Sequence, residues 1–147
     1  MPIAGQAVQA IEQGRVIPDD LWGPACIFAE ARSEPYEGQV AVGCVVRNRM
    51  ARKYASDGTV VGTVWWPKQF SWTNSTDGQR TRVLRAELSD PAWRVAVRAW
   101  EESAMSRVVG DAVLYYADYI PAPDWAKAPG VTLVRTIGKH RFFTETR

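Results

Sequence analysis

A chain of 147 residues suits one domain and is long enough to bury a single substantial core. Its 46% hydrophobic and 23% charged residues exclude a disordered segment, and a net charge of +2 provides no overall field for nucleic acid. Fourteen of the eighteen basic residues are Arg, whose planar fork suits carboxylate-rich partners, although genomic base composition produces the same enrichment.

The opening "MPIAGQAVQAIEQGRVIPDD" lacks a basic stretch followed by a long apolar run, so it does not read as a secretory signal. Synthesis in the cytoplasm is the expectation, with any outside target reached by another route. "GQAVQAIEQG" can form a short amphipathic helix closed by Gly14, so residues 1–20 are expected as a lead-in to a domain over 21–147. The longest apolar runs, such as "CVV" and "VLYY", are too short to span a membrane.

"IPDDLWGPA" sets up the next helix, with Pro24 in its first turn, and the expected helix covers 24–34. Pro35 disfavours helical geometry at Glu34 and should end it there. "PYEG" then reads as a turn. A second helix is expected over 39–54, with Val40, Ala41, Cys44, Val45 and Asn48 at helical spacing and Ala41 and Gly43 small enough for close contact. Cys26 and Cys44 lie in apolar helical segments and read as buried free thiols. With no CxxC and a single His there is no metal-ligand spacing, and no cofactor is implied.

"TVVGTVWW" fits either a short helix or a strand. "PKQFSWTNSTDGQR" is polar, turn-forming and aromatic, and reads as a functional loop. In "SDPAWRVAVRAWEESAMSRV", Asp90 suits the N-cap and Pro91 the first helical position; Trp93, Ala96, Val97, Trp100 and Ala104 form the core stripe. "DAVLYYADY" reads as a strand, "IPAPDW" as a proline-fixed loop, and "VTLVRTIGKHRFFTE" as a hairpin about a Gly-Lys turn. The expected fold is α+β, mostly helical: a single domain with a small β-hairpin element.

Two acids stand out. On a continuous helix Glu30 and Glu34 share one face, one turn apart. From spacing alone the pair reads first as a solvated face with Arg32 or Arg49 as counterion. Glu30, however, is flanked by Phe28, Ala29 and Ala31, and desolvation favours the neutral carboxyl that a general acid requires. Glu34, beside Pro35, should be wetter, or bound to backbone N–H groups.

"AEARSEPYEGQVAVGCVVRNRM" (29–50) closely resembles the signature of SleB-like cell wall hydrolases, a spore-cortex-lytic family also found in bacteriophages. "QFSW" (69–72), "GDAVLYY" (110–116), "PDW" (123–125) and "IGKHRFF" (137–143) follow in the family's order. The resemblance implies a fold like lysozymes and lytic transglycosylases, with Glu30 as catalytic acid and peptidoglycan glycan strands as substrate. Many such relatives close a 1,6-anhydro ring on the product sugar. The chain departs from the more usual motifs at Ser33, where Gly is common, and at Phe143, where Tyr is.

Among the remaining candidates, Glu34 reads as a second acid or, preferably, a structural brace of the turn. Gln69 and Ser71 offer groups for N-acetyl and sugar oxygens, or loop-stabilising bonds. Trp72 reads as a half-exposed sugar platform or as packing. Of the tyrosines on the strand, Tyr116 is expected to face the cleft and Tyr115 the core. His140 is either a structural hydrogen bonder or a cleft residue, and Gln39 a bond across the helix start or a substrate contact. The leading function is therefore a monomeric peptidoglycan-cleaving enzyme of lytic transglycosylase or muramidase type, a phage endolysin or virion-associated lysin. The runner-up is a non-catalytic wall-binding or virion module on the same fold. A Cys–His peptidase and nucleic-acid binding fit poorly.

Overall fold

The computed structural model of the protein describes residues 21–74, 78–87 and 89–146. The expected lead-in helix at 1–20 lies outside the described residues. Helix α1 (Trp22–Ala31) is the central element, with every residue from Trp22 to Phe28 buried, and Ala31 also. A helix apolar all round must be covered all round. Four helices surround it: α2 (Tyr36–Arg52), α3 (Val60–Val64), α4 (Gly78–Arg85) and α5 (Pro91–Ser103).

The first boundary differs from expectation in a way that matters. α1 stops at Ala31, and the Glu34 amide donates to the Ala31 carbonyl at 2.9 Å in a turn. Glu34 therefore leaves the helix, and the two acids do not share a helical face. Pro35 ends no helix; it is the N-cap of α2, with φ −53° and ψ 152°. Tyr36, Glu37 and Gly38, expected as a turn, form the first turn of α2, where Glu37 complements the helix dipole.

α2 crosses α5 closely because Gly43 has no side chain: a Cβ there would lie 2.8 Å from Cβ of Ser103. Cys26 and Cys44 are free and buried. "TVVGTV" resolves as helix α3, capped by Thr59 Oγ1 accepting from the Gly62 amide at 2.9 Å. α4 sits partly in the stretch read as loop; buried Val83 and Leu84 hold it to the core. α5 begins as expected, with Asp90 Oδ1 accepting from the Ala92 amide at 2.8 Å and Pro91 following. Its buried face is Trp93, Ala96, Ala99 and Ser103, whereas Ala104, expected in the stripe, is exposed beyond the helix end.

The β element is a three-stranded antiparallel sheet: β1 (Leu114–Ala117), β2 (Val131–Ile137) and β3 (His140–Glu145), in the order β1-β3-β2. Ile137 pairs with His140 across a two-residue turn in which Gly138 takes φ +55°. Tyr115 pairs with Phe142 and Tyr116 with Arg141, so the two tyrosines point to opposite faces. "PDW" falls at a 3-10 turn, Asp124–Lys127.

The Arg-Asn-Arg at the end of α2 ties these parts together. Arg47 Nη2 donates to the Trp100 carbonyl at 2.8 Å, and Asn48 Nδ2 to the carbonyls of Gly110 (3.0 Å) and Ala112 (2.9 Å). Arg49 Nε donates to the Val113 carbonyl at 2.7 Å. One helical turn thus sets the path of the chain from the end of α5 into β1.

Candidate active site

A cleft of about 690 Å³ opens between the C-terminal end of α1, the segment 68–74 with Gln79, and β1 with the loop that follows it. α1 delivers Glu30 to this cleft in its last turn, partly buried. From β1, the Tyr115 hydroxyl donates to Glu30 Oε1 at 2.5 Å. Burial, and then the charge of Glu30, push the Tyr115 phenol well above its ordinary pKa, so it remains a donor.

Arg49 lies behind them, only 4% exposed, with its guanidinium 5.0 Å from the Phe70 ring centre. Its Nη1 donates to Gln69 Oε1 at 3.3 Å. Because Arg can only donate, the Gln69 amide oxygen is committed to it, and the amide nitrogen is the end offered to a ligand. Burial lowers the Arg49 pKa, opposed by the surrounding Tyr115, Cys26, Tyr54 and Glu30.

His140 also lines the cleft, with its ring edge-on to Tyr115 at 5.1 Å between centres. Burial depresses its pKa below the usual value against the opposing pull of Glu34 and Asp118. Its Nδ1 stands 3.8 Å from Glu34 Oε1, a distance beyond a hydrogen bond. Glu34 Oε1 instead accepts from the Lys139 amide at 2.8 Å and so fixes the β2–β3 turn against the start of α2.

Glu30, Gln69, Ser71, Trp72, Tyr116 and His140 all contribute to the cleft, whereas Glu34 and Gln39 do not. Gln39 is buried, and its Nε2 donates to the Glu34 carbonyl at 3.2 Å, across the helix start and outside the lining of the cleft. Trp72 is not half-exposed: at 1% exposure it stacks on Trp22 (6.4 Å, 23°) and meets Trp65 edge-on (5.6 Å, 63°), so it presents no open face to a sugar. The tyrosine assignment also changes. Tyr116 is buried at the cleft wall, stacked on Phe143 (5.6 Å, 15°), with Arg141 donating to its hydroxyl at 3.3 Å. Tyr115, expected in the core, is the one that touches the acid.

Tyr115, Arg49, Asn74, Tyr119 and Trp125 escaped the sequence reading as site residues. Tyr119 is 76% exposed where it lines the cleft, so it is the open aromatic face that Trp72 is not. The available signal was its place at the end of the expected strand, immediately before the proline-fixed loop.

Residues 33–143 match the family model described as Cell Wall Hydrolase. The chain is 32% identical over 126 residues to the spore cortex-lytic enzyme of Oceanobacillus iheyensis, covering 79% of this chain and 38% of that protein. It is 34% identical over 119 residues to the spore cortex-lytic enzyme of Bacillus subtilis, covering 79% and 34%. The chain therefore spans between a third and two fifths of these relatives. In shape it is similar to the catalytic domain of the Bacillus cereus SleB protein, with TM-score 0.67 and 24% identity over 86% of this chain and 90% of that one. It is also similar to the catalytic domain of the germination-specific lytic transglycosylase SleB from Bacillus anthracis, with TM-score 0.68 and 23% identity over 87% and 96%.

A helical lobe around one buried helix, with a small sheet closing an acid-bearing cleft, is a lysozyme-like fold of the kind seen in these catalytic domains. The chain belongs to the cell wall hydrolase family, a family of glycosidase-type enzymes. Its matched span opens after Glu30, so the role of that acid rests on its place in the cleft.

Proposed function

We propose that this chain cleaves the glycan strands of peptidoglycan at the MurNAc–GlcNAc bond, with Glu30 as the single acid and base. One observation carries the reading: among the described residues Glu30 is the only carboxylate lining the cleft, and a partly buried phenol holds one of its oxygens. A protonated Glu30 gives its proton to the glycosidic oxygen as the C1–O bond breaks. The resulting carboxylate then takes the proton of the C6 hydroxyl while that oxygen bonds to C1, leaving a 1,6-anhydro sugar. An inverting hydrolase instead needs a second carboxylate roughly 6.5–9.5 Å away to activate water. Glu34, engaged with the Lys139 amide outside the cleft, does not fill that place.

Gln69 and Ser71 offer polar groups to the sugar, and Tyr119 and Trp125 offer aromatic faces. Purified peptidoglycan digested with the wild type should release anhydro muropeptides, one water lighter than the hydrolytic products by mass spectrometry. Glu30→Gln should remain folded and release none. A folded Glu30→Gln protein that clears walls at the wild-type rate ends this reading in favour of a binding module.

The same reading covers the setting. A phage-borne lysin would be made in the host cytoplasm and reach the wall after release. Expression without a leader should then lyse cells only once the inner membrane is permeabilised, and spontaneous lysis would count against this setting.

A further inference from the structure

A second groove, of about 680 Å³, runs between the end of α1, α4 and the start of α5. Arg32, Arg82 and Arg85 line it together with Glu87 and Asp90 from the α4–α5 connection. Arg32 is anchored over the Phe28 ring at 5.0 Å, with Nη1 donating to the Phe28 carbonyl (3.0 Å) and to Gln79 Oε1 (2.9 Å). Arg82 and Arg85 are exposed, and neither makes an ion pair or hydrogen bond among the described residues. Burial lowers the Arg32 pKa and the neighbouring Arg82 lowers it further, against the opposing pull of Asp90, so among the described residues three arginines share this groove with two acids.

Gln79 also lines the catalytic cleft. The groove and the cleft are linked through the Arg32–Gln79 hydrogen bond, and Arg32 follows Glu30 by two positions. A substituent of a strand lying in the cleft is therefore a candidate occupant of the groove. A glycan strand is uncharged along its sugars but carries on each MurNAc a stem peptide with carboxylates and amino groups. Arginine forks match carboxylates, and the two acids offer acceptors for N–H groups. A polyphosphate wall polymer would meet those same acids as repulsion, so the mixed charge favours a peptide.

We propose that the Arg32–Arg82–Arg85 groove binds the stem peptide of the strand being cut, which makes the enzyme selective for glycan that still carries peptide. The inference rests on the glycan-strand reading and names a feature of its substrate.

The test uses two substrates: soluble strands with stem peptides, and the same strands stripped of peptide by an amidase. The variant is Arg82→Ala with Arg85→Ala, whose side chains are exposed outside the cleft. On peptide-bearing strands the double variant should raise KM roughly tenfold with kcat unchanged, an effect that weakens in high salt. On stripped strands, wild type and variant should be equal. Calorimetric titration with free stem peptide should show binding to the wild type and a loss of about tenfold in the variant.

Equal behaviour of the two proteins on peptide-bearing strands overturns the proposal, as does an equal loss on both substrates. Binding of a phosphate polymer but not of free peptide also overturns it. A wild type that cuts neither substrate sinks the glycan-strand reading instead, and the peptide titration then still decides the groove.

Discussion

The phenol of Tyr115 donates to Oε1 of Glu30 at 2.5 Å, joining two residues 85 positions apart in sequence. Burial keeps that phenol protonated, so the contact is a permanent donor to the acid. Tyr115→Phe keeps the ring packing against His140 and Phe142 but removes the donor. Stability should fall by about 1 kcal/mol. A kcat loss of roughly tenfold or more, with KM little changed, is expected from steady-state rates on soluble strands. An unchanged kcat would show that Tyr115 does nothing for the acid.

Glu34 behaves as a brace. Glu34→Ala leaves the Lys139 amide without its acceptor and should cost on the order of 1–3 kcal/mol in denaturant unfolding. Glu34→Gln keeps an acceptor oxygen and should stay near wild type in both Tm and rate. Lost turnover at Glu34→Gln with an unchanged Tm would make it a catalytic carboxylate instead.

Gly138 reports on the same brace from the other side. It takes φ +55°, and a Cβ there would come 2.4 Å from Glu34 Oε1. Gly138→Ala should therefore destabilise by about 1–3 kcal/mol through backbone strain alone, with displacement of Glu34 adding to it. Combined with Glu34→Ala, the effect should be less than additive. Full additivity would mean that the turn and Glu34 are independent.

His140 introduces a pH dependence whose sign follows from its burial. Its folded pKa is depressed below the ordinary value, with burial as the largest cause. As pH falls below about 6.5, the unfolded chain takes up the proton first, and folding loses stability until the folded pKa is passed. Above about pH 7 the residue contributes no such loss. His140→Gln should flatten the decline of Tm between pH 7 and pH 5. An equally steep decline would assign it to the carboxylates.

Trp72 and Tyr119 divide packing from binding. Trp72→Ala removes a ring that is 1% exposed and should cost roughly 3–5 kcal/mol. Tyr119, 76% exposed, should tolerate Ala within about 0.5 kcal/mol while KM for glycan strands rises. An unchanged KM at Tyr119→Ala would remove it from the binding surface.

Much of the fold was legible where local chemistry and tertiary demand agree. Asp90-Pro91 started α5 as its capping chemistry requires, and the Gly138 turn closed the hairpin. The errors occurred where a tertiary contact overrode the local pattern. Glu34 is non-helical, as Pro35 requires, but α1 already stops at Ala31 and Pro35 is the N-cap of α2, with the Glu34 carboxylate bonded to the β2–β3 turn 105 residues away. α4 was missed because its sequence is mostly polar and only Val83 and Leu84 reach the core. At the site, Glu30, Gln69, Ser71 and His140 lie where the motifs suggested. Strand alternation could not choose between Tyr115 and Tyr116, since the sheet has a packed face on both sides.

The carbonyls held by Arg47, Asn48 and Arg49 have a kinetic meaning. They belong to a segment more than fifty residues downstream, which has no strand pairing of its own until β3 arrives. The acid and its phenol partner are therefore joined by a contact of long sequence separation, whose closure entropy must be met before it forms. Amide exchange in β1 should then proceed only through global unfolding, at the same free energy as the buried amides of α2. The position of Tyr115 in the cleft thus depends on the last strand, because β1 is paired to β3.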